Sequence, residues 1–156
     1  MDLKPVSINL PDSDATLQLG AALGARLQAG DTVFLIGDLG MGKTTLARGL
    51  IGALCDTDDI PSPTYTLIQS YETRGVGGLL HADLYRIEDD SELDELGLDD
   101  AFDDMIILVE WPECLKDRAP ARRLELHFQP TETGRIVRIV AFGEWGDRLV
   151  GLDTDI

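Results

Sequence analysis

The chain has 156 residues, 44% of them apolar and 27% charged. That balance fits a single globular domain spanning 1–156 and excludes a disordered chain, which would lack the apolar area to offset the entropy of ordering. A formal net charge of −16, with only Lys4, Lys43 and Lys116 as lysines, disfavours direct nucleic-acid binding, whose affinity rests on neutralising phosphates.

No apolar run suits a signal peptide, and no stretch approaches the roughly 20 apolar residues of a membrane span. A cytoplasmic protein with no membrane partner is therefore expected. Cys55 and Cys114 stand far apart with no histidine at metal-ligand spacing, which reads as two buried, reduced thiols.

In chain order, a first strand is expected near Ser7–Leu10. A helix follows, in which Leu19, Ala22, Leu23 and Leu27 share one face, with Gly30 as its stop. Thr32–Gly37 is too apolar for a half-exposed strand and reads as the buried centre of a parallel sheet. The second helix begins inside a glycine loop and runs to about Cys55. After an acidic, proline-marked loop, strands are expected near Thr66–Glu72 and Leu79–Ile87, then a helical stretch with Leu93, Leu96 and Leu98.

Met105–Pro112 repeats the buried-strand signature and ends in an acid. Two period-two segments, RRLELHF and RIVRIVAF, meet at a turn over Pro130–Gly134. This alternation predicts an α/β fold of the P-loop NTPase kind: a mostly parallel central sheet flanked by helices, with antiparallel strands at the edge. The tail, 144–156, carries no motif and is expected to be flexible.

The chemistry is concentrated in Gly37, Asp38, Leu39, Gly40, Met41, Gly42, Lys43 and Thr44, which satisfy G-x-x-x-x-G-K-[ST] between an expected strand and an expected helix. Glycines let the backbone turn successive N–H groups toward a phosphate, and the helix that follows adds the positive end of its dipole. Lys43 supplies a point charge for the β- and γ-phosphates, and the Thr44 hydroxyl is placed to ligate Mg²⁺. Thr45 continues the loop into the helix.

Such a site needs an acid at the end of a neighbouring strand, and Glu110, closing IILVE, is the candidate. Asp83, in HADLYR, either holds a metal-bound or attacking water or pairs with Arg86. His81 shares that ambiguity and is read as a satisfied structural histidine ahead of a catalytic one, and Trp111 as core or as an exposed docking aromatic. SPTYTL, Ser62–Leu67, reads as a switch loop or as a rigid loop that starts a strand.

GDLGMGKTTLARG, SPTYTL, HADLYR with the EL and G that follow, and VEWP stand in one order across about half of the chain. Together they resemble the TsaE (YjeE) family, the ATPase component of bacterial tRNA threonylcarbamoyladenosine synthesis. The resemblance implies an ATPase that is weak alone and acts with TsaB and TsaD, meeting tRNA only through that complex. TsaD would transfer the threonylcarbamoyl group to adenosine 37 of ANN-decoding tRNAs, and this chain would promote turnover.

By the same resemblance, Lys43 and Thr44 serve phosphate and Mg²⁺, Glu110 is a second metal-associated acid and Asp83 is required for hydrolysis. Ser13 and Arg135 contribute to the adenine pocket. Met41 departs from the small residue usual at its place. Two other readings share the same loop: a small-molecule kinase, against which no arginine-rich lid is found, and a nucleotide-gated binding module that needs no hydrolysis. A GTPase is disfavoured, since no N-K-x-D motif follows the metal acid.

Overall fold

The computed structural model describes residues 5–38, 40, 42–55, 68–145, 148, 149, 151 and 152. Seven strands form one sheet: β1 (Val6–Leu10), β2 (Thr32–Ile36), β3 (Ile68–Glu72), β4 (Gly78–Asp83), β5 (Ile106–Glu110), β6 (Arg123–Pro130) and β7 (Arg135–Phe142). Their spatial order is β1-β7-β6-β2-β5-β4-β3. The central pairs, β6 with β2, β2 with β5 and β5 with β4, are parallel. Antiparallel pairs flank them, β1 with β7 and β7 with β6 at one side and β3 with β4 at the other. This is the expected α/β architecture with a mostly parallel centre and antiparallel edges.

Strands β2 and β5 are apolar almost throughout because both of their faces are covered. Val33, Leu35, Leu79, Ile106 and Leu108 project to one face, onto α1 (Ser13–Gly24) and α2 (Lys43–Leu54). Phe34, Ala82, Ile107 and Val109 project to the other, beneath α3 (Asp90–Leu96), α4 (Leu98–Ala101) and the 3₁₀ turns of Pro112–Arg118. Helix α1 starts at an Asp12 cap whose carboxylate accepts the Ala15 N–H at 2.8 Å.

Helices α1 and α2 approach closely through glycines. A Cβ on Gly20 would lie 2.2 Å from the Leu46 carbonyl oxygen, and one on Gly49 would lie 2.3 Å from that of Leu17.

Several boundaries differ from expectation. Strand β4 ends at Asp83, where the Asp83 carboxylate accepts the Tyr85 N–H at 3.0 Å and turns the chain. Helix α1 ends at Gly24, and Leu27 is buried in the turn beyond it. Gly30 therefore does not stop the helix; it sits in the turn into β2, its N–H donating to the Met105 carbonyl. The stretch around Leu93 to Leu98 is two helices split at Gly97, whose φ of 71° an L residue rarely adopts.

Cys55 is buried as expected, whereas Cys114 is only half-buried, at the edge of the second core cluster. In the tail, Trp145 is 3% exposed within the main core and Leu152 is also buried, so the described tail residues pack against the domain. SPTYTL lies outside the described residues. Among the described residues, no helix is long and apolar enough to cross a membrane.

Candidate functional site

Strand β2 delivers the chain into the glycine loop, and Gly42 turns it into α2 with φ 96°. That helix start has no side-chain cap, so the first N–H groups of α2 are left to a ligand or to water. Lys43 is 4% exposed. Its ammonium donates to the Gly37 carbonyl at 2.6 Å and lies 3.6 Å from the centroid of the Trp111 indole. Burial holds this ammonium below its ordinary pKa, against the opposing pull of Glu110, Glu113, Asp83 and Asp38.

The acids arrive from the sheet. Parallel register sets Asp83 beside Glu110 at the ends of β4 and β5. Period-two alternation sends both to the α2 side, the side taken by Leu79 and Leu108. Glu110 is 3% exposed, so it is no solvated strand-end acid. Its Oε1 accepts the Thr44 hydroxyl at 3.2 Å, and its Oε2 lies 2.7 Å from His81 Nε2.

Trp111 follows with φ 58° and ψ 58°, the left-handed region. For a tryptophan that backbone costs about 1–2 kcal/mol. The ring is half-buried and lies outside both core clusters: one face meets the Lys43 ammonium, and Tyr85 packs on it with centroids 4.9 Å apart.

A cavity of about 300 Å³ opens between these elements. Lys43, Thr44 and Thr45 line it from α2, Gly40 and Gly42 from the loop, Asp83 and Glu110 from the sheet, Ser13 from α1 and Arg135 from β7. Arg135 reaches it because the β6–β7 hairpin ends beside the loop, where its Nη2 donates to the Gly40 carbonyl at 2.7 Å. Gly37 takes part through its carbonyl, whereas Asp38 is exposed and does not line the cavity. Leu39 and Met41 lie outside the described residues.

Thr16, which sequence reasoning did not single out, also lines the cavity. Its only signal is its spacing of three from Ser13, which puts both on one face of α1. Among the described residues no three His, Cys, Asp or Glu side chains gather as a cage for an ion. The side-chain oxygens lining the cavity are the hydroxyls of Ser13, Thr16, Thr44 and Thr45 and the carboxylates of Asp83 and Glu110, hard oxygen ligands of the kind Mg²⁺ uses when phosphates complete its shell.

The family model for "Threonylcarbamoyl adenosine biosynthesis protein TsaE" matches residues 10–137. The chain belongs to the TsaE family. Among its relatives, the TsaE protein of Mycobacterium bovis is 41% identical over 128 residues, covering 77% of this chain and 76% of that one. The Bacillus subtilis TsaE protein is 37% identical, covering 94% and 88%, and that of Haemophilus influenzae 33%, covering 90% and 92%. The crystal structure of Bacillus subtilis YdiB superposes on this TsaE-family chain with a TM-score of 0.73 at 29% identity, covering 92% of this chain and 88% of that one. The region matched by the TsaE model contains every candidate site residue, from Ser13 to Arg135.

Proposed function

We propose that the chain acts in forming threonylcarbamoyladenosine at position 37 of tRNAs that read codons beginning with A, as a Mg²⁺-dependent ATPase that promotes turnover of a TsaB–TsaD assembly. One observation carries the nucleotide reading: Lys43, Thr44, Asp83 and Glu110, from three separate elements, converge on one cavity at the carboxyl ends of parallel strands. Ligand sites in open α/β sheets occur at that edge.

In this reading the glycine-loop and α2 N–H groups cradle the phosphates, and Lys43 exchanges the Gly37 carbonyl for a phosphate oxygen. Thr44 and Glu110 hold Mg²⁺, which supplies positive charge where the phosphoryl oxygens gain negative charge. Asp83 orients the attacking water. Ser13, Thr16 and Arg135 form the opposite wall. The net charge of −16 supports contact with tRNA through partner proteins only. Family membership supports TsaB and TsaD as those partners.

The test is the tRNA of cells depleted of this chain, with threonylcarbamoyladenosine measured by mass spectrometry and rescue attempted with Asp83→Ala. Depletion is expected to remove the modification, and Asp83→Ala to bind ATP yet fail to restore it. Unchanged modification on depletion overturns the proposal. Full rescue by a non-hydrolysing Asp83→Ala replaces the ATPase with a nucleotide-gated binding module.

A further inference from the structure

We infer that His81 is a positioning residue that aims the Glu110 carboxylate at the metal side of the cavity; the inference rests on the Mg-nucleotide reading of the site. His81 lies two residues before Asp83 on the same face of β4 and is 1% exposed. Its Nε2 sits 2.7 Å from Glu110 Oε2, while Thr44 donates to Oε1 at 3.2 Å. The carboxylate is thus held at both oxygens, by β4 from beneath and by α2 from the cavity side.

The other ring nitrogen, Nδ1, is buried and has no hydrogen-bond partner among the described residues. A histidine kept for the fold would be expected to satisfy both nitrogens, as buried polar groups generally do. Among the described residues, the single polar engagement of this buried imidazole is the carboxylate of the site. A neutral ring with its proton on Nε2 donates to Glu110 and leaves Nδ1 a lone pair, avoiding a stranded N–H.

The consequence is geometric. A free glutamate side chain samples several rotamers, whereas one tied back through Oε2 presents Oε1 and its outward lone pairs in a fixed direction. Hydrogen-bonding partners of metal-ligating carboxylates typically contribute about 10–100-fold in metal affinity. His81 contributes through Glu110 alone and does not line the cavity, so removing its N–H should weaken metal-dependent nucleotide binding and spare the metal-free component.

The experiment is calorimetric titration of ADP into wild type, His81→Leu, His81→Asn and His81→Gln, each with Mg²⁺ and with chelator, on protein shown folded by circular dichroism. The quantity read is the Mg²⁺ enhancement, the ratio of the two affinities. Leu lacks the donor, Asn ends about one bond short of Oε2, and the Gln amide reaches the place of Nε2. The enhancement is expected to fall about tenfold or more in Leu and Asn and to survive in Gln, with metal-free affinity changed less than about twofold.

If Leu or Asn keeps the full enhancement, or Gln loses as much as they do, the positioning role is overturned. An equal loss of both affinities would mark a structural histidine and also overturns it. If wild type shows no Mg²⁺-dependent binding at all, the Mg-nucleotide reading falls first and the inference with it.

Discussion

Substituting Gly49 by alanine tests the packing that builds the site. In an unconstrained helix interior this change gains about 0.8–1 kcal/mol from propensity. Here the new Cβ would lie 2.3 Å from the Leu17 carbonyl oxygen, about 1 Å inside the 3.4 Å at which ordinary contact begins, and 3.0 Å from the Leu17 carbonyl carbon and Cα, also inside that limit. All three atoms are backbone, so no rotamer change relieves the clash and α1 and α2 must part. Overpacking of this kind costs about 1–3 kcal/mol, and with only backbone to yield the upper end applies.

Subtracting the propensity gain leaves about 2 kcal/mol of destabilisation, a fall in Tm of about 4–8 °C for a chain of this size. Gly52, exposed on the same helix, is the control: Gly52→Ala should be neutral or stabilising by up to about 1 kcal/mol. Because α1 carries Ser13 and Thr16 while α2 carries Lys43 and Thr44, the Gly49→Ala protein should also bind nucleotide more weakly. Calorimetric melting of the three proteins is the assay. A Gly49→Ala protein as stable as wild type would refute the close α1–α2 contact.

Asp31 gives a pH-dependent prediction. Burial alone would raise its pKa, but hydrogen bonds from Arg148, the Gln28 N–H and Arg122 outweigh burial and hold it below the ordinary value. A depressed carboxyl stabilises the fold above its unfolded pKa of about 3.9 and loses that contribution as the pH falls through its folded pKa. Asp31→Asn should therefore cost about 2 kcal/mol at pH 7, with the difference from wild type shrinking below about pH 4 in urea titrations; a pH-independent difference would contradict the assignment. Because the Lys43 ammonium sits 3.6 Å from the Trp111 centroid, nucleotide that draws Lys43 away should change tryptophan emission. That change should vanish in Trp111→Phe, whereas its persistence would place the signal at Trp145.

The parts of the fold that were legible follow from local physics. Thr32–Gly37 and Met105–Pro112 announce themselves as apolar runs because an interior parallel strand is covered on both faces. The glycine loop is legible from spacing alone, since its glycines and Lys43 are contiguous. The β4 boundary was not: LeuTyrArgIle continues a strand-like pattern, and the turn that ends it, in which the Asp83 carboxylate accepts the Tyr85 N–H and the Leu84 carbonyl accepts the Ile87 N–H, carries no Gly or Pro to announce it. Local pattern also placed the helix stop at Gly30, whereas the chain leaves α1 six residues earlier and still buries Leu27.

Contacts that depend on register were hidden. His81 meets Glu110 across 29 residues of sequence only because β4 lies beside β5. Arg135 reaches Gly40 across 95 residues only because the β6–β7 hairpin ends at the loop. Trp111 was ambiguous from sequence because its place is set by a left-handed backbone, for which a tryptophan carries no signal. The tail offered no motif, yet Arg148 donates to the buried Asp31 carboxylate at 2.7 Å and lies with Arg122 against the Trp145 ring, anchoring it by a long-range ion pair.

The most direct measurement is the steady-state rate of ATP hydrolysis by the purified chain, alone and with TsaB and TsaD, for wild type and Lys43→Ala. The account predicts a low rate alone, stimulation by the partners, and loss of both rates in Lys43→Ala. Hydrolysis that survives Lys43→Ala, or that the partners leave unchanged, would contradict it.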